Sequence, residues 1–400
     1  MARPPLEVAD IFTAHADAFV QAWGGAVSSA NRRILRDLVA CRTAALGGHV
    51  EVCDRCDGDQ LEYHSGGNPH CPKCQAAARA EWLDAPAADL LPVEYFHVVF
   101  TVPPSIADLT LQNKKVLYGI LLRAVAETLL QIAADPKHLG AKIGFLSVLH
   151  TWGQTLLHHP HVHCVVPGGG LARDGSRWIA CHPGFFLPVK VLSRVFRGKF
   201  LDLTRCAFAR GELSFFGKLA HLDDPDRFAA YLRSAYATDW VVYAKPPFGG
   251  PQQVLKYLAR YTHRVAISNH RLISLHEGKV SFRYKDYAHG SRRRTMTLDA
   301  EEFIRRFLLH SLPKGFVRIR HYGLLANAQR AVHLARCREL LDCAPPPGSA
   351  SGDDDQHAAT DGESLRICPA CQVGRLIRTR LPRSSASPSF HPEPQAIDSS

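Results

Sequence analysis

A run of histidines and apolar residues at positions 158–166 constrains the fold more than any other segment of the chain. Successive side chains of a β-strand point to opposite faces. His161 and His163 therefore share one face, and the alternating Val162, Cys164 and Val166 share the other. The pattern predicts a strand that packs one face on a core and presents two imidazoles on the opposite face.

Two imidazoles a few ångströms apart are suited to a divalent cation that keeps open positions for substrate oxygens. A third ligand is expected from a neighbouring strand. Gln154, which follows the strand-like segment LSVLHTW, is the first choice because an amide oxygen suits a hard cation. The sequence therefore predicts a Mg²⁺ or Mn²⁺ site formed by His161, His163 and Gln154.

A helix is predicted after Pro251, since proline is tolerated in the first turn of a helix. Tyr257 and Tyr261 are four residues apart and share one face of this helix. Lys256, Arg260 and Arg264 begin beyond the tyrosines, where they could hold a phosphate against the phenols. A phenol with a pKa of about 10 needs a cation or a base to attack a phosphate at neutral pH. Alternatively, both tyrosines merely flank a core.

The chain has 12 cysteines and no secretory signal pattern, which indicates metal ligands or buried thiols rather than disulfides. Two Cys-x-x-Cys pairs, Cys53/Cys56 and Cys71/Cys74, predict one structural zinc ion held by four thiolates. Cys41, His49 and His70 lie nearby, but the sequence does not favour them as ligands. A further pair, Cys368/Cys371, forms half a site that could combine with Cys337 and Cys343 or with nothing.

The net charge of +11 is concentrated in one stretch, because residues 252–338 contain 18 Lys and Arg but only 5 Asp and Glu. A concentrated basic surface is typical of proteins that bind a phosphate backbone, although a solvated face without a partner gives the same signal. The candidate DNA-binding residues are Lys256, Arg260, Arg264, Arg292, Arg293, Arg294, Arg318 and Arg320.

No apolar run has the length needed to span a bilayer, so the sequence predicts a cytoplasmic protein without a membrane segment. Hydrophobic periodicity predicts helices over 6–47, 113–134 and 301–312, strands over 94–102, 142–152 and 239–244, and a hairpin over 271–284. After Cys343 the sequence becomes acidic and rich in Pro, Gly and Ser, which predicts a disordered linker and tail around the CPAC element.

Taken together, these segments resemble the rolling-circle insertion-sequence transposases, the two-tyrosine members of the HUH endonuclease group. The resemblance covers about residues 40–340 and rests on CRTAALGGHVEVCDRC, HCPKCQ, HHPHVHCVVPGGGL, KYLARYTHRVAISN and the basic segment that begins VSFRYKDY. One segment departs from the family pattern. The family reads Ser-Cys-Arg-Asn-Arg-His where this chain has Ser65-Gly66-Gly67-Asn68-Pro69-His70.

The resemblance implies an α+β fold, in which an HUH antiparallel sheet flanked by helices carries the His-x-His motif on a central strand. Periodicity, composition and the resemblance together predict a helical segment and zinc module over 1–90, a catalytic domain over 91–343, and a disordered linker and tail with the CPAC element over 344–400. The resemblance also implies that Tyr257 and Tyr261 attack single-stranded DNA and form a 5′-phosphotyrosine. The alternatives are a non-catalytic zinc-module DNA-binding protein, a hydrolytic nuclease, and a replication or conjugation relaxase.

Overall fold

A computed structural model describes residues 4–56, 58–84, 90–245, 253, 265–287, 289–343 and 367–384. The chain forms two compact units. We call them the terminal unit (1–78, 267–308 and 350–400) and the central unit (79–266 and 309–349). This division differs from the expected domains, because residues 267–308 belong to the terminal unit although the sequence placed them in the catalytic domain.

The described helices are α1 (Val8–Trp23), α2 (Ser29–Ala40), α3 (Pro72–Asp84), α4 (Pro104–Gln112), α5 (Lys114–Ala134), α6 (Val189–Ala209), α7 (Pro225–Ala237), α8 (Ala300–Leu309) and α9 (Arg330–Leu340). The described strands are β1 (Gly48–Cys53), β2 (Asp59–Tyr63), β3 (Tyr95–Thr101), β4 (Gly144–Trp152), β5 (His158–Pro167), β6 (Gly169–Leu171), β7 (Trp178–Ala180), β8 (Val242–Lys245), β9 (Leu272–His276), β10 (Lys279–Asp286), β11 (Arg292–Asp299), β12 (Ile319–Gly323) and β13 (Leu376–Leu381).

The central unit is built on a five-stranded sheet with the order β12-β4-β5-β3-β8. All four neighbouring pairs are antiparallel. The His-x-His strand β5 lies in the middle, so the structure confirms an antiparallel sheet that carries the motif on a central strand. Of the expected helices, the one over 113–134 packs on this sheet as α5, and the combination of helices with an antiparallel sheet confirms the α+β class.

One face of the central sheet forms the main hydrophobic core with helices α4 to α7. Val98 and Phe100 of β3 and Val162 and Cys164 of β5 lie on this face, and all are fully buried. Helix α5 is long and apolar enough to cross a membrane by length and composition, but 67% of its most apolar window is buried inside the fold. Its side chains pack in this core, so α5 is a core helix of the central unit.

In the terminal unit, β9, β10 and β11 form an antiparallel sheet. The expected hairpin is confirmed: Glu277 and Gly278 between β9 and β10 have φ values of 46° and 69°, the left-handed pair that a tight hairpin turn requires. The inner face of the sheet packs on α8, where the rings of Phe282 and Phe303 are 5.9 Å apart.

A second sheet of the terminal unit has the order β13-β1-β2. Strand β13 follows the CPAC element, in the region expected to be disordered, and it pairs with β1 over six positions from Gly48↔Leu381 to Cys53↔Leu376. That expectation was wrong for residues 367–384, because the edge of β1 offers backbone hydrogen bonds that the composition of the tail does not reveal. The flanking residues 344–366 and 385–400 lie outside the described part of the chain.

We expect Phe100→Ala to lower the free energy of unfolding of the central unit by about 3–5 kcal/mol, because a fully buried ring is replaced by a cavity. Phe100 is 0% exposed, and its ring lies 5.2 Å from that of Phe196. Phe216→Ala is the matched control, since this ring is 64% exposed and its loss should change stability by about 0.5 kcal/mol or less. Urea unfolding followed by circular dichroism measures both. Equal effects would contradict the assignment of this core.

Candidate metal and DNA-binding sites

Three imidazoles converge on the face of the central sheet opposite the main core. His161 and His163 project from β5, and His150 projects from β4 directly opposite His161. One ligand nitrogen of each lies within 4.8 Å of those of the other two. His150 and His163 are 1% and 7% exposed. This is a compact set of nitrogen donors on paired strands, and it can hold a divalent cation.

His150 is the third histidine of this group, and it was not among the ligands expected from the sequence. Gln154 lies in the turn between β4 and β5, beyond the end of the paired strands. His150 belongs to the LSVLHTW segment, which the sequence identified as a strand. The sequence reasoning missed it because only the β4–β5 register shows that His150 faces His161. We therefore propose His150 as a further candidate ligand, and Gln154 stays a prediction from the sequence.

Hydrogen bonds orient two of the three imidazoles. The Nδ1–H of His161 donates to the backbone carbonyl of His159 at 2.7 Å, which leaves Nε2 with its lone pair. Nδ1 of His163 lies 2.7 Å from Nε2 of His97 on β3, and the two rings stack with centroids 5.0 Å apart. Such outer hydrogen bonds fix the tautomer of a metal-binding histidine. Both side chains therefore present Nε2 to the candidate metal site.

His97 is a buried partner that the sequence reasoning did not identify. Burial, together with the nearby charges of Lys245 and His161, lowers the pKa of His97 to about 3. A neutral His97 accepts at Nε2 from His163 when its own proton is on Nδ1. The only sequence signal for His97 is a single histidine within the apolar strand EYFHVVFTV.

The turn that joins β4 to β5 is held by His310, which is 2% exposed. Its Nδ1 lies 3.2 Å from the Thr151 hydroxyl, and its Nε2 lies 3.0 Å from the carbonyl oxygen of Leu156. Leu156 has a φ of 61°, a left-handed conformation that is unfavourable for a leucine. His310 thus stabilises the turn next to the three-histidine group.

The cysteines of the terminal unit form two groups instead of the single group that we expected. Cys53 and Cys56 lie with Cys368 and Cys371, whereas Cys71 and Cys74 lie with Cys41. The two Cys-x-x-Cys pairs are therefore not brought to one ion. The reason is topological: Cys53 ends β1 beside the tail, while Cys71 and Cys74 begin α3 next to the end of α2.

The three-thiol group includes Cys41, which the sequence reasoning did not favour. Its Sγ lies 3.3 Å from that of Cys74, and the Ser65 hydroxyl lies 3.1 Å from the same Cys74 Sγ. His49 lies elsewhere, with Nε2 3.3 Å from a carboxylate oxygen of Glu62. Likewise, Cys368 and Cys371 approach Cys53 and Cys56 rather than Cys337 and Cys343.

Residues 254–264 lie outside the described part of the chain. This segment contains the predicted nucleophiles Tyr257 and Tyr261 and the predicted DNA contacts Lys256, Arg260 and Arg264. Their assignments remain predictions from the sequence.

The three consecutive arginines of β11 point to different faces of their sheet. Arg293 lies directly opposite Lys285 of the neighbouring strand β10. The side chains of Arg293, Lys285 and Arg283 are exposed on the same face of the sheet. Arg294 is on the opposite face, where its Nε lies 3.2 Å from Asp286 Oδ2. Like charges directly opposite each other are unfavourable in a sheet unless an anion separates them. The exposed face with Arg283, Lys285 and Arg293 is therefore a candidate phosphate-binding surface, which we call the basic sheet face.

Arg318 and Arg320 have surroundings unlike those of surface arginines. Burial lowers the pKa of Arg318 to about 10, and its carbonyl oxygen accepts the N–H of Leu149 in β4. The guanidinium of Arg320 lies 5.4 Å from the centre of the Phe316 ring, and its Nε donates to the carbonyl oxygen of Val317. Both residues are only half-buried, and their assignment as DNA contacts stays a prediction from the sequence.

Comparison with known proteins identifies the class of this chain. A family model described as "Putative transposase" matches residues 144–332, and one described as "Transposase zinc-binding domain" matches residues 11–102. The first covers both histidine strands, and the second includes Cys41 and both Cys-x-x-Cys pairs. These matches and the two cysteine groups define a transposase with an N-terminal zinc-binding domain.

Individual relatives support this classification. The chain is 55% identical over 385 residues to "Putative transposase y4qJ" of Sinorhizobium fredii, covering 95% of this chain and 96% of that protein. It is 26% identical over 358 residues to the transposase for insertion sequence element IS801 of Pseudomonas savastanoi pv. phaseolicola, covering 86% and 82%. Among solved structures, the conjugative relaxase TrwC in complex with OriT DNA matches with a TM-score of 0.24 and 15% identity, covering 84% and 96%. The chain belongs to the insertion-sequence transposase family.

We expect His150→Ala to weaken the binding of Mn²⁺ to the central unit by about 10-fold or more, because a donor of the three-histidine group is lost. Gln154→Ala is the matched control and should leave the affinity nearly unchanged. Titration calorimetry measures the Mn²⁺ affinity of both variants after the two cysteine groups have been supplied with one equivalent of zinc each. If Gln154→Ala weakens binding and His150→Ala does not, the third ligand is the amide.

Charge reversal on the basic sheet face tests its role in DNA binding. We expect Arg283→Glu, Lys285→Glu and Arg293→Glu together to reduce the salt slope of single-stranded DNA binding by about 2, since each lost phosphate contact contributes about 0.7. The control reverses the exposed Lys190, Arg227 and Arg233, which changes the net charge equally. Fluorescence anisotropy at several salt concentrations gives both slopes, and identical slopes would refute a DNA contact at this face.

Proposed function

We propose that this transposase nicks and rejoins single-stranded DNA during rolling-circle transposition, using a divalent cation and a tyrosine nucleophile. The observation that carries the proposal is the convergence of His150, His161 and His163 on adjacent strands of the central sheet. A transposase needs a group that can be placed against a scissile phosphate. An imidazole-held cation with open coordination positions suits that task.

The donor atoms of the three-histidine group favour a transition-metal ion. Neutral imidazoles are good ligands for such ions, whereas Mg²⁺ prefers oxygen ligands and retains its waters. Between the two ions expected from the sequence, the site is therefore better suited to Mn²⁺ than to Mg²⁺. When bound, the cation would polarise the phosphate and stabilise the negative charge of the transition state.

His97 and His310 hold the metal-binding histidines and the adjacent turn in place. With its own proton on Nδ1, His97 accepts from Nδ1 of His163 and leaves Nε2 of His163 as the metal ligand, and the carbonyl oxygen of His159 does the same for His161. His310 holds the β4–β5 turn through Thr151 and Leu156. Ligands fixed in this way lose little conformational entropy on binding a cation.

The nucleophile in this proposal is the phenol of Tyr257 or Tyr261. Its oxygen forms a bond to phosphorus as the bond from phosphorus to the 3′-oxygen breaks, and the phenolic proton is transferred in net terms to the leaving oxygen. The products are a 5′-phosphotyrosine and a free 3′-hydroxyl. Because the phosphodiester bond is exchanged and not hydrolysed, a 3′-hydroxyl can later reverse the step and join strands.

Affinity for the DNA backbone is assigned to the basic sheet face of the terminal unit. Arg283, Lys285 and Arg293 provide three cationic side chains on one exposed surface. Contacts of this type are independent of sequence and depend strongly on salt. The DNA-end sequence would then be selected by other contacts.

We expect Tyr257→Phe combined with Tyr261→Phe to abolish the covalent protein–DNA adduct and to leave DNA binding nearly intact. Phenylalanine retains the ring and loses only the nucleophilic oxygen. The measurement is incubation with labelled single-stranded DNA of an element end and Mn²⁺, followed by denaturing electrophoresis. Tyr236→Phe is the control, because this side chain is 56% exposed and has no part in the proposal.

The same assay separates the competing functions. A non-catalytic DNA-binding protein leaves the DNA uncut. A hydrolytic nuclease cuts without an adduct and leaves free 5′-phosphates. If the double variant still forms adduct, the nucleophile is another residue. If only one single variant loses all adduct, the mechanism uses one tyrosine.

A further inference from the structure

The most informative feature outside the proposed DNA-cleaving site is the four-cysteine group that joins the two ends of the chain. It combines Cys53, the last residue of β1, and Cys56 with Cys368 and Cys371, which precede β13. The family match to a zinc-binding domain ends at residue 102, so it does not include the second pair. We propose that these four thiolates bind a structural zinc ion that the C-terminal tail completes.

The distances between sulfur atoms agree with a tetrahedral ion. The Sγ atoms of Cys53 and Cys371 are 3.7 Å apart, and those of Cys56 and Cys368 are also 3.7 Å apart. A tetrahedral zinc ion with bonds of about 2.3 Å requires sulfur atoms about 3.8 Å apart. A disulfide requires about 2.05 Å. All four atoms lie within 4.8 Å of one another, so they surround a single position.

The backbone around the group is shaped to hold both pairs. The N–H of Gly374 donates to Cys371 Sγ at 3.2 Å, and the N–H of Cys368 donates to the carbonyl oxygen of Gly374 at 2.8 Å. A Cβ atom added at Gly374 would lie 2.4 Å from Cys53 Sγ. The residue at this position must therefore be glycine, because the tail approaches Cys53 so closely.

Contacts beyond the cysteines fix the tail in register. The backbones of Asp54 and Arg375 are linked by a 3.0 Å hydrogen bond, and the N–H of Arg375 also donates to the Asp54 carboxylate at 2.7 Å. The guanidinium Nε of Arg378 on β13 donates to Glu51 on β1 at 2.9 Å. Glu51 is 6% exposed, and the Arg378 guanidinium compensates its buried negative charge within the sheet.

This sheet has little other means of stabilisation. Along β2 four of five residues are exposed, and along β13 four of six are exposed. A small sheet with so little buried apolar surface usually needs a metal ion or another cross-link. The zinc ion of the four-cysteine group would supply this cross-link. The three-thiol group of Cys41, Cys71 and Cys74 provides a separate place for a second ion.

The first test uses the wild-type chain and the reactivity of its thiols. Cys56 is exposed, so burial cannot protect it from iodoacetamide, whereas ligation to zinc does, and chelation reverses that protection. We expect Cys53, Cys56, Cys368 and Cys371 to react slowly in the purified protein and to become reactive together after zinc is removed with a chelator. Cys206, which is partly exposed, is the internal control with a constant rate. Mass spectrometry of the labelled peptides gives each rate. If Cys56 or the tail pair reacts as fast as Cys206 before chelation, the proposal is overturned.

The second test counts metal ions in variants of the full chain. We expect Cys368→Ser with Cys371→Ser to lose one equivalent of zinc, Cys53→Ser with Cys56→Ser to lose one, and the fourfold variant still to lose only one. Cys181→Ser with Cys206→Ser is the matched control and should lose none. Plasma mass spectrometry measures the zinc content. An unchanged content in the tail variant would show that the tail binds no metal.

Cobalt substitution keeps the proposal testable if a variant fails to fold. Co²⁺ in the wild-type protein should give the intense thiolate-to-metal charge-transfer absorption of a four-sulfur site. The absorption should fall when Cys371 is replaced by Asp, which keeps a charged ligand but removes one sulfur. An unaltered spectrum in Cys371→Asp would exclude this cysteine as a ligand.

Discussion

The register between β4, β5 and β3 is the constraint on which the rest of the central unit depends. A shift of one residue would turn every side chain of a strand to the opposite face. His150 and His163 would then enter the apolar core, and Val162 and Cys164 would face the metal site. The pairings His150↔His161 and Val99↔His163 avoid this. Burial of the apolar face thus also sets the positions of the donor atoms.

Much of this arrangement could be predicted from local sequence patterns. The alternation in β5 predicts both the buried face and the pair of imidazoles, and the Glu277-Gly278 turn predicts the hairpin. Both patterns are local, because the residues that form each of them lie within a few positions of one another in the sequence. The third histidine and His97 were missed because they lie on other strands, and strand order and register are not encoded locally.

The cysteines show the same limit over a longer distance. Equal spacing within the Cys53/Cys56 and Cys71/Cys74 pairs suggested a single zinc ion, since nearby pairs usually meet. In the structure, Cys53 and Cys368 belong to one group although they are more than 300 residues apart in the sequence. The low apolar content of the tail predicted disorder, because it reflects only the surface that the tail can bury by itself. The composition of the tail could not show that the open edge of β1 and the thiols of Cys53 and Cys56 were available near the N-terminus.

The pairing of β13 with β1 imposes an order on biosynthesis. A ribosome produces the N-terminal helices and the Cys53/Cys56 turn first, but the strand that completes their sheet is synthesised more than 300 residues later. The nascent chain must therefore carry an unfinished module while the central unit folds, since domains generally fold as units from the N-terminus during synthesis. A message cut short before codon 368 would yield a protein with an intact histidine site but an open terminal sheet. Translation through β13 is therefore a condition for the terminal sheet of this transposase to close.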